Sequence, residues 1–515
     1  MIMEYVHRML QALSDVNDFL WTYIVVTLLV FCALYFTIRM RGMQFRMLGD
    51  MVRIMLGRDR KAAEKSSSSS DLSDPSDLSD PSDQSDSSDL SDLSDLSDSS
   101  DSSDSSDAAD SRSKIGSFQA FAVSLSSRVG TGNLAGVASA IFVGGPGAVF
   151  WMWVMALFGA ATAFVESTLA QLYKKRGEDS FYGGPAYYME TGLHRRWMGI
   201  VFSILITVTF GMANQTVQST TLCDALSDSF GFPKAMVGIV ITVCTLAIIF
   251  GGIKRISHFA SIVVPFMAVG YILLALYIVI TNITLMPEVL RLIFTNAFGL
   301  EQAAGGMLGM AVLQGVKRGL FSNEAGEGSA PNAAAIAATS HPAKQGLLQS
   351  LGVFTDTLVI CTCTAFIVIL SGLYTGDADG IILTTLAVEQ EVGPAGRYFV
   401  TSAIFLFAYS TIIANYFYGE TNIRFITQKR WAINLFRIVT GCVVMLGALV
   451  ALQTAWILVD IVMGLMTLFN LTAILLLSDK AFRLLRNYME QRRSGKEPVF
   501  RKEMMPDIAD DIECW

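Results

Sequence analysis

About eleven stretches of roughly twenty predominantly apolar residues run along this 515-residue chain, each long enough to cross about 30 Å of hydrocarbon as a helix. They fall near 19–38, 117–143, 147–173, 197–222, 234–251, 256–280, 303–338, 346–373, 398–423, 431–451 and 453–477. They make the composition 52% hydrophobic and only 16% charged, where a soluble chain carries nearer a quarter charged residues. The pattern predicts an all-α polytopic membrane protein of about 11 transmembrane helices. A soluble enzyme would show shorter amphipathic segments instead.

The net charge of −8 is set by one segment. Between Ser66 and Asp110 an aspartate recurs at every third position, fourteen in all, and without them the remainder carries +6. Period three matches neither a helix face nor a strand face, and the segment has little to bury, so disorder is expected over 66–113. The other expected units are 1–65 (an N-terminal helix and basic segment), a ten-helix core over 114–478, and a C-terminal tail over 479–515. Basic residues mark alternate loops: Arg39 to Lys65, Lys174-Lys175-Arg176, Lys254-Arg255, Lys344, Arg424 with Lys429-Arg430, and Arg483 to Arg493. The opposite loops hold Asp377, Asp379, Glu389 and Glu391. The positive-inside rule then places the N-terminus outside and the C-terminus in the cytoplasm, across the cytoplasmic (inner) membrane. The seven cysteines and four histidines show no metal-ligand or redox spacing, so neither a cofactor nor a metalloenzyme is expected.

Two spans are broken. One is interrupted by Ser126-Ser127-Arg128-Val129-Gly130-Thr131-Gly132-Asn133. The other is interrupted by Lys317-Arg318-Gly319 and then by Ser322-Asn323-Glu324-Ala325-Gly326-Glu327-Gly328-Ser329-Ala330-Pro331. Unwound backbone at membrane depth survives only inside protein or beside a watery cavity. Each broken span opens a set of five, here 114–281 and 300–478, the pattern of a 5+5 inverted repeat with one extra N-terminal helix and two discontinuous helices. Amides freed at Gly130–Asn133 suit a carboxylate, and carbonyls near Ser126 and Val129 suit Na⁺. Gly130-x-Gly132 is no dinucleotide loop, because Gly136 comes one residue too late and no strand precedes it. Arg318 and Glu324 can brace the second break as a pair or act directly on a ligand. Asn323 and Ser322 offer neutral contacts to an ammonium or an ion. Further polar clusters, Phe210 to Gln215 and Ser410-Thr411 with Asn415, interrupt two other spans.

Four stretches resemble the alanine or glycine:cation symporter family: Ser124 to Gly136, Phe181 to Met189, Gly315 to Gly326, and Tyr416 to Glu420. The resemblance implies a leucine-transporter-type fold and Na⁺-coupled import of a small neutral amino acid by alternating access. It implies that Thr131, Gly132 and Asn133 face the substrate with Phe210, Asn214, Gln215, Phe321, Ser322, Asn323 and Asn415. It implies a sodium site of the Ser126 and Val129 carbonyls and the Ser410 and Thr411 hydroxyls, with Arg318, Glu324 and Gly326 gating or bracing. Asn415 stands where members handling alanine and glycine resemble one another in carrying Trp. That exchange points to a longer polar substrate such as glutamine, alongside or instead of alanine. An H⁺-coupled carrier and a non-transporting amino acid sensor are the alternatives. A channel would want a continuous polar stripe, and an intramembrane enzyme has only Ser322 with Glu324 to offer.

Overall fold

A computed structural model of the chain describes residues 13, 15–57, 115–177, 180–299 and 305–515. The aspartate-rich segment expected over 66–113 lies outside the described residues. Among those residues the secondary structure is helical apart from one two-residue hairpin, Lys175–Arg176 with Phe181–Tyr182, and an isolated bridge. In chain order the helices used below are α1 (Asp15–Arg39), α2 (Leu48–Met55), α3 (Ser117–Arg128), α4 (Gly132–Gly144), α5 (Gly147–Leu172), α6 (Arg196–Phe230), α7 (Lys234–Ile249) and α8 (Gly252–Thr281). The second set is α9 (Met286–Ala297), α10 (Gly305–Asn323), α11 (Ala330–Ala335), α12 (Pro342–Ser371), α13 (Gly380–Val392), α14 (Pro394–Ile426), α15 (Arg430–Gly447) and α16 (Leu452–Arg493).

Eight of the described helices are long and apolar enough to cross a membrane. The other expected crossings fall on the pairs α3/α4 and α10/α11 and on the shorter α7. The interruption at Ser126–Asn133 and the one from Ser322 onward are therefore real breaks, whereas Lys317-Arg318-Gly319 stays inside α10, its two charges met by Asp18 and Asp460. Helices α9 and α13 occupy stretches expected to be loop. α16 continues to Arg493, well past the expected boundary at 478. The last residues then fold back: Phe500 N donates to Ser340 O at 2.9 Å and Trp515 Nε1 donates to Gln171 O at 2.9 Å.

Local chemistry explains the breaks. α3 stops at Val129, whose ψ of 82° leaves the helical region. Gly130 follows because a Cβ there would collide with the Thr411 hydroxyl of α14. At the second break Glu324, Gly326 and Gly328 have φ of 55°, 94° and 84°, a left-handed region that favours glycine. Both broken spans sit among α5, α12 and α14, with nearly every residue of 117–141 and 315–337 buried. Backbone freed from the ladder is thus kept away from lipid, as hydrocarbon demands.

Candidate functional site

At the first break the peptide groups point at side chains from other helices. Gly130 N donates to Asn133 Oδ1 at 2.9 Å, and Thr131 N donates to Gln218 Oε1 at 3.1 Å. Gln218 Nε2 in turn donates to Asn214 Oδ1 at 2.8 Å. Side-chain oxygens of Asn133 and Gln218 thus hold the positions the sequence reading gave to a substrate carboxylate. The buried Thr131 hydroxyl has no hydrogen-bond partner among the described residues.

Thr411 on α14 faces the end of α3. Its hydroxyl lies 2.8 Å from Ser126 O, 3.4 Å from Val129 O and 3.0 Å from Phe407 O of its own helix. One proton serves only one of these at a time. With the proton on Phe407 O, three oxygens turn lone pairs toward each other, an arrangement a hard cation relieves. Ser410 is placed differently: its hydroxyl donates to Phe407 O at 3.0 Å and sits beside Met267 Sδ. The structure joins three of the four expected cation ligands and turns the fourth to its own backbone.

The two breaks meet through a carboxylate that the sequence reading did not single out. Asp356 on α12 accepts from Asn133 Nδ2 at 2.6 Å through one oxygen and from the Ser322 hydroxyl at 2.7 Å through the other. Ser322 therefore pairs with Asp356 and not with Glu324. Glu324 accepts from the hydroxyls of Ser127 and Ser329, and Ser127 also lies 2.8 Å from Asn415 Oδ1. Gly326 N donates to Glu166 Oε1 at 3.1 Å, while Asn470 Nδ2 reaches both Glu166 Oε2 and Gly326 O. Asn323 folds onto its own turn, its Oδ1 accepting from Ala325 N at 3.0 Å. The buried Nδ2 groups of Asn323 and Asn415 have no partner among the described residues.

One expected brace is corrected. Arg318 does not pair with Glu324; it makes a two-pronged ion pair with Asp460 of α16, both contacts at 3.2 Å, and lies 4.0 Å over the Trp456 ring. Arg318 lies inside α10, whereas Glu324 stands past its end with a φ of 55° that turns it out of the helix. Phe321 packs edge-on against Trp456 with ring centroids 4.7 Å apart, and a Cβ at Gly132 would stand 2.9 Å from the Phe321 ring. Phe210 and Gln215 lie one layer out, Phe210 against Tyr418 and Gln215 Nε2 on Ile412 O.

Asp356, Glu166, Gln218 and Ser127 were missed. Asp356 and Glu166 each stand as the single acid of an apolar span, Gln218 sits in the polar-rich run Gln215 to Thr221, and Ser127 lies inside the break itself.

Residues 6–73 and 90–502 match the sequence profile of the sodium:alanine symporter family. The chain belongs to that family. It is a sodium-coupled amino acid symporter. Among its relatives, the probable sodium/glutamine symporter GlnT of Bacillus subtilis is 44% identical over 97% of this chain and 94% of its own length. The amino-acid carrier protein AlsT of the same organism is 52% identical over 78% of this chain and 86% of its own length. A solved structure of MhsT in complex with L-phenylalanine superposes with a TM-score of 0.52 at 13% identity, covering 78% of this chain and 93% of that one. That likeness gives the sodium:alanine symporter chain its leucine-transporter-type fold. The four family-like stretches read from the sequence meet at the site or brace it: Ser124 to Gly136 and Gly315 to Gly326 form the breaks. Phe181 to Met189 ends beside Tyr188, which donates to Asn470, and Tyr416 to Glu420 follows Asn415 on α14.

Proposed function

We propose that this symporter carries a neutral amino acid with a polar side chain, glutamine foremost, together with Na⁺. The observation that carries the substrate reading is Asn415. Its carboxamide presents a buried Nδ2 with no partner among the described residues, beside the first break and next to Ser127. A donor left without a partner in a dry site is costly, and a substrate carboxamide oxygen supplies the acceptor. Asn323 Nδ2 adds a second such donor on the other broken span. The likeness to GlnT, a probable sodium/glutamine symporter matched over 97% of this chain, supports the same reading.

In this reading Na⁺ sits between Ser126 O, Val129 O and Thr411 Oγ1, with Ser410 turning in to join. The substrate carboxylate displaces Gln218 from the Thr131 amide and reaches Gly132. Asp356, which stands on α12 and is hydrogen-bonded to both broken spans, takes the ammonium group or a second cation. Arg318–Asp460 with the Phe321–Trp456 pair closes the site on the side of α10. Occupancy drives the cycle only if both ligands prefer the same conformation. The basic ends of α1, α5, α14 and α16 face the cytoplasm of an inner membrane, leaving the N-terminus outside.

Competition between alanine, glycine and glutamine for uptake into proteoliposomes under an imposed Na⁺ gradient tests the substrate. Glutamine is expected to compete, and Asn415→Ala to lower glutamine uptake more than alanine uptake. Indifference to glutamine defeats the reading. A second reading, H⁺ coupling, is favoured by Glu327, a buried carboxyl whose oxygens meet no hydrogen-bond donor among the described residues. Uptake driven by a pH gradient without Na⁺ distinguishes it.

A further inference from the structure

α16 passes the end of α1 on its way out of the membrane. Together with the turn after α1 they enclose a cavity of about 500 Å³. Its wall holds Arg39, Arg41, Arg46, Arg486 and Arg493 against a single carboxylate, Glu490. Arg39 is seated over the Phe482 ring, 5.3 Å from its centroid. The other four arginines have no carboxylate partner among the described residues; Arg46 Nη1 donates only to Arg41 O at 3.3 Å. Converging like charges repel unless an anion sits among them, and guanidinium forks match phosphate oxygens in pairs.

Two observations say what carries that anion. The remainder of the wall is apolar, Ile38 and Met489 among it, and Ile38 is 73% exposed. Immediately beyond, α2 and the turn before it are amphipathic twice over. Met43, Met47, Met51 and Ile54 face the bundle, while Phe45, Leu48, Val52 and Leu56 are exposed along the other side. An exposed apolar stripe beside an arginine cluster, at the end of a membrane helix, has the composition of an element lying at the headgroup level.

We propose that this cavity binds the phosphate group of an anionic phospholipid, with the acyl chains along Ile38 and the outer face of α2. It is separate from the transport site, and it rests on the membrane setting rather than on the choice of substrate. The charge chemistry alone would also accept free phosphate; the apolar wall selects the lipid.

The test uses the full-length chain in detergent, followed by thermal unfolding. Short-chain phosphatidylglycerol is expected to raise the midpoint by about 3 °C, through binding to the folded state alone. Short-chain phosphatidylcholine and inorganic phosphate are expected to raise it far less. The triple variant Arg41→Gln/Arg486→Gln/Arg493→Gln loses the phosphatidylglycerol response and keeps wild-type uptake in phosphatidylcholine vesicles. Arg493→Gln alone, at the exposed end of α16, shows part of the loss should the triple variant fold poorly. A full response to inorganic phosphate assigns the cavity to a free anion and overturns the proposal. So does a response undiminished in the variants, or no response at all. A response that emerges only after deletion of residues 66–110 also overturns it, since the fourteen aspartates would then be the occupant.

Discussion

Replacing Thr411 by Val removes one oxygen from the first break and changes little else. The side chain is fully buried, keeps its shape, and loses only a hydroxyl that stands 2.8 Å from Ser126 O, 3.4 Å from Val129 O and 3.0 Å from Phe407 O. That hydroxyl has two tasks. Without Na⁺ it donates to Ser126 O, a neutral hydrogen bond contributing about 1 kcal/mol. With Na⁺ it turns its proton to Phe407 O and offers a lone pair to the ion, an interaction with a charge contributing about 1.5–3 kcal/mol. Affinity reads the difference, about 0.5–2 kcal/mol, which is about a two- to thirty-fold rise in the half-saturating Na⁺ concentration. Thr411→Ser keeps the oxygen and is expected to stay within about twofold of the parent. The assay is Na⁺-dependent uptake in proteoliposomes, paired with the Na⁺-induced rise in melting temperature in detergent. The pairing separates ion affinity from damage to the fold. A Val variant with the parent's Na⁺ dependence in both measurements refutes the cation cage at this break.

Three further outcomes are expected. Asp356→Asn retains the size and most hydrogen bonds of the bridge between the breaks but removes its charge; uptake should fall at least about tenfold, the loss of one charge-assisted contact, with the melting temperature nearly kept, and wild-type uptake would remove Asp356 from the site. Glu327→Met replaces a buried carboxyl that has no hydrogen-bond partner among the described residues, so it should stabilise the protein by about 1–3 kcal/mol in thermal unfolding; a marked loss of stability would mean that the carboxyl has a compensating ligand. His341 caps α12 at its start, accepting from Ala343 N at 3.1 Å, and burial holds its imidazole down at about 4. The unfolded chain therefore binds this proton below about pH 6.5 while the folded chain refuses it until about pH 4, so stability falls as pH drops through that window by up to about 3 kcal/mol and then levels off. His341→Asn, which preserves the cap, should flatten that slope; an unchanged slope assigns the pH dependence elsewhere.

Much of the architecture was legible because lipid imposes a length and a polarity on every crossing. The breaks were legible for the converse reason: Gly130-Thr131-Gly132-Asn133 and Glu324-Ala325-Gly326 cannot be lipid-facing helix. Side-chain partnership was far less legible. Asp356 meets Asn133 and Ser322 from another helix, and the reading of its own span saw only an apolar run containing one acid. Arg318 was matched to Glu324 because they are near in sequence, whereas its partner Asp460 lies 142 positions away. Three stretches carrying site residues, Gly132–Gly136, Thr209–Ala213 and Phe354–Cys361, are wound as wide π turns. Such turns shift the facing of side chains relative to a regular helix, so helical spacing alone misplaces them.

The electrostatics of the site explain why a carrier built this way is driven by cations. Arg128, 1% exposed at the end of α3, spends one donor on Gln349 O at 3.2 Å and lies within electrostatic reach of Glu166, Glu324, Glu327 and Asp356. The other buried guanidinium near the breaks, Arg318, is already matched by Asp460. One unmatched cation therefore faces four carboxyl groups in a region sealed from water and lipid. Such an excess of acids is costly to leave unbalanced in a low-dielectric interior. What can balance it must be positive and small; in the proposed arrangement that is Na⁺ between Ser126, Val129 and Thr411, the ammonium of an amino acid at Asp356, or a proton on Glu327. An anionic solute on its own would deepen the imbalance. A zwitterion arriving with Na⁺ reduces it, and in the proposed arrangement the attraction between the ion and the substrate carboxylate couples the two ligands.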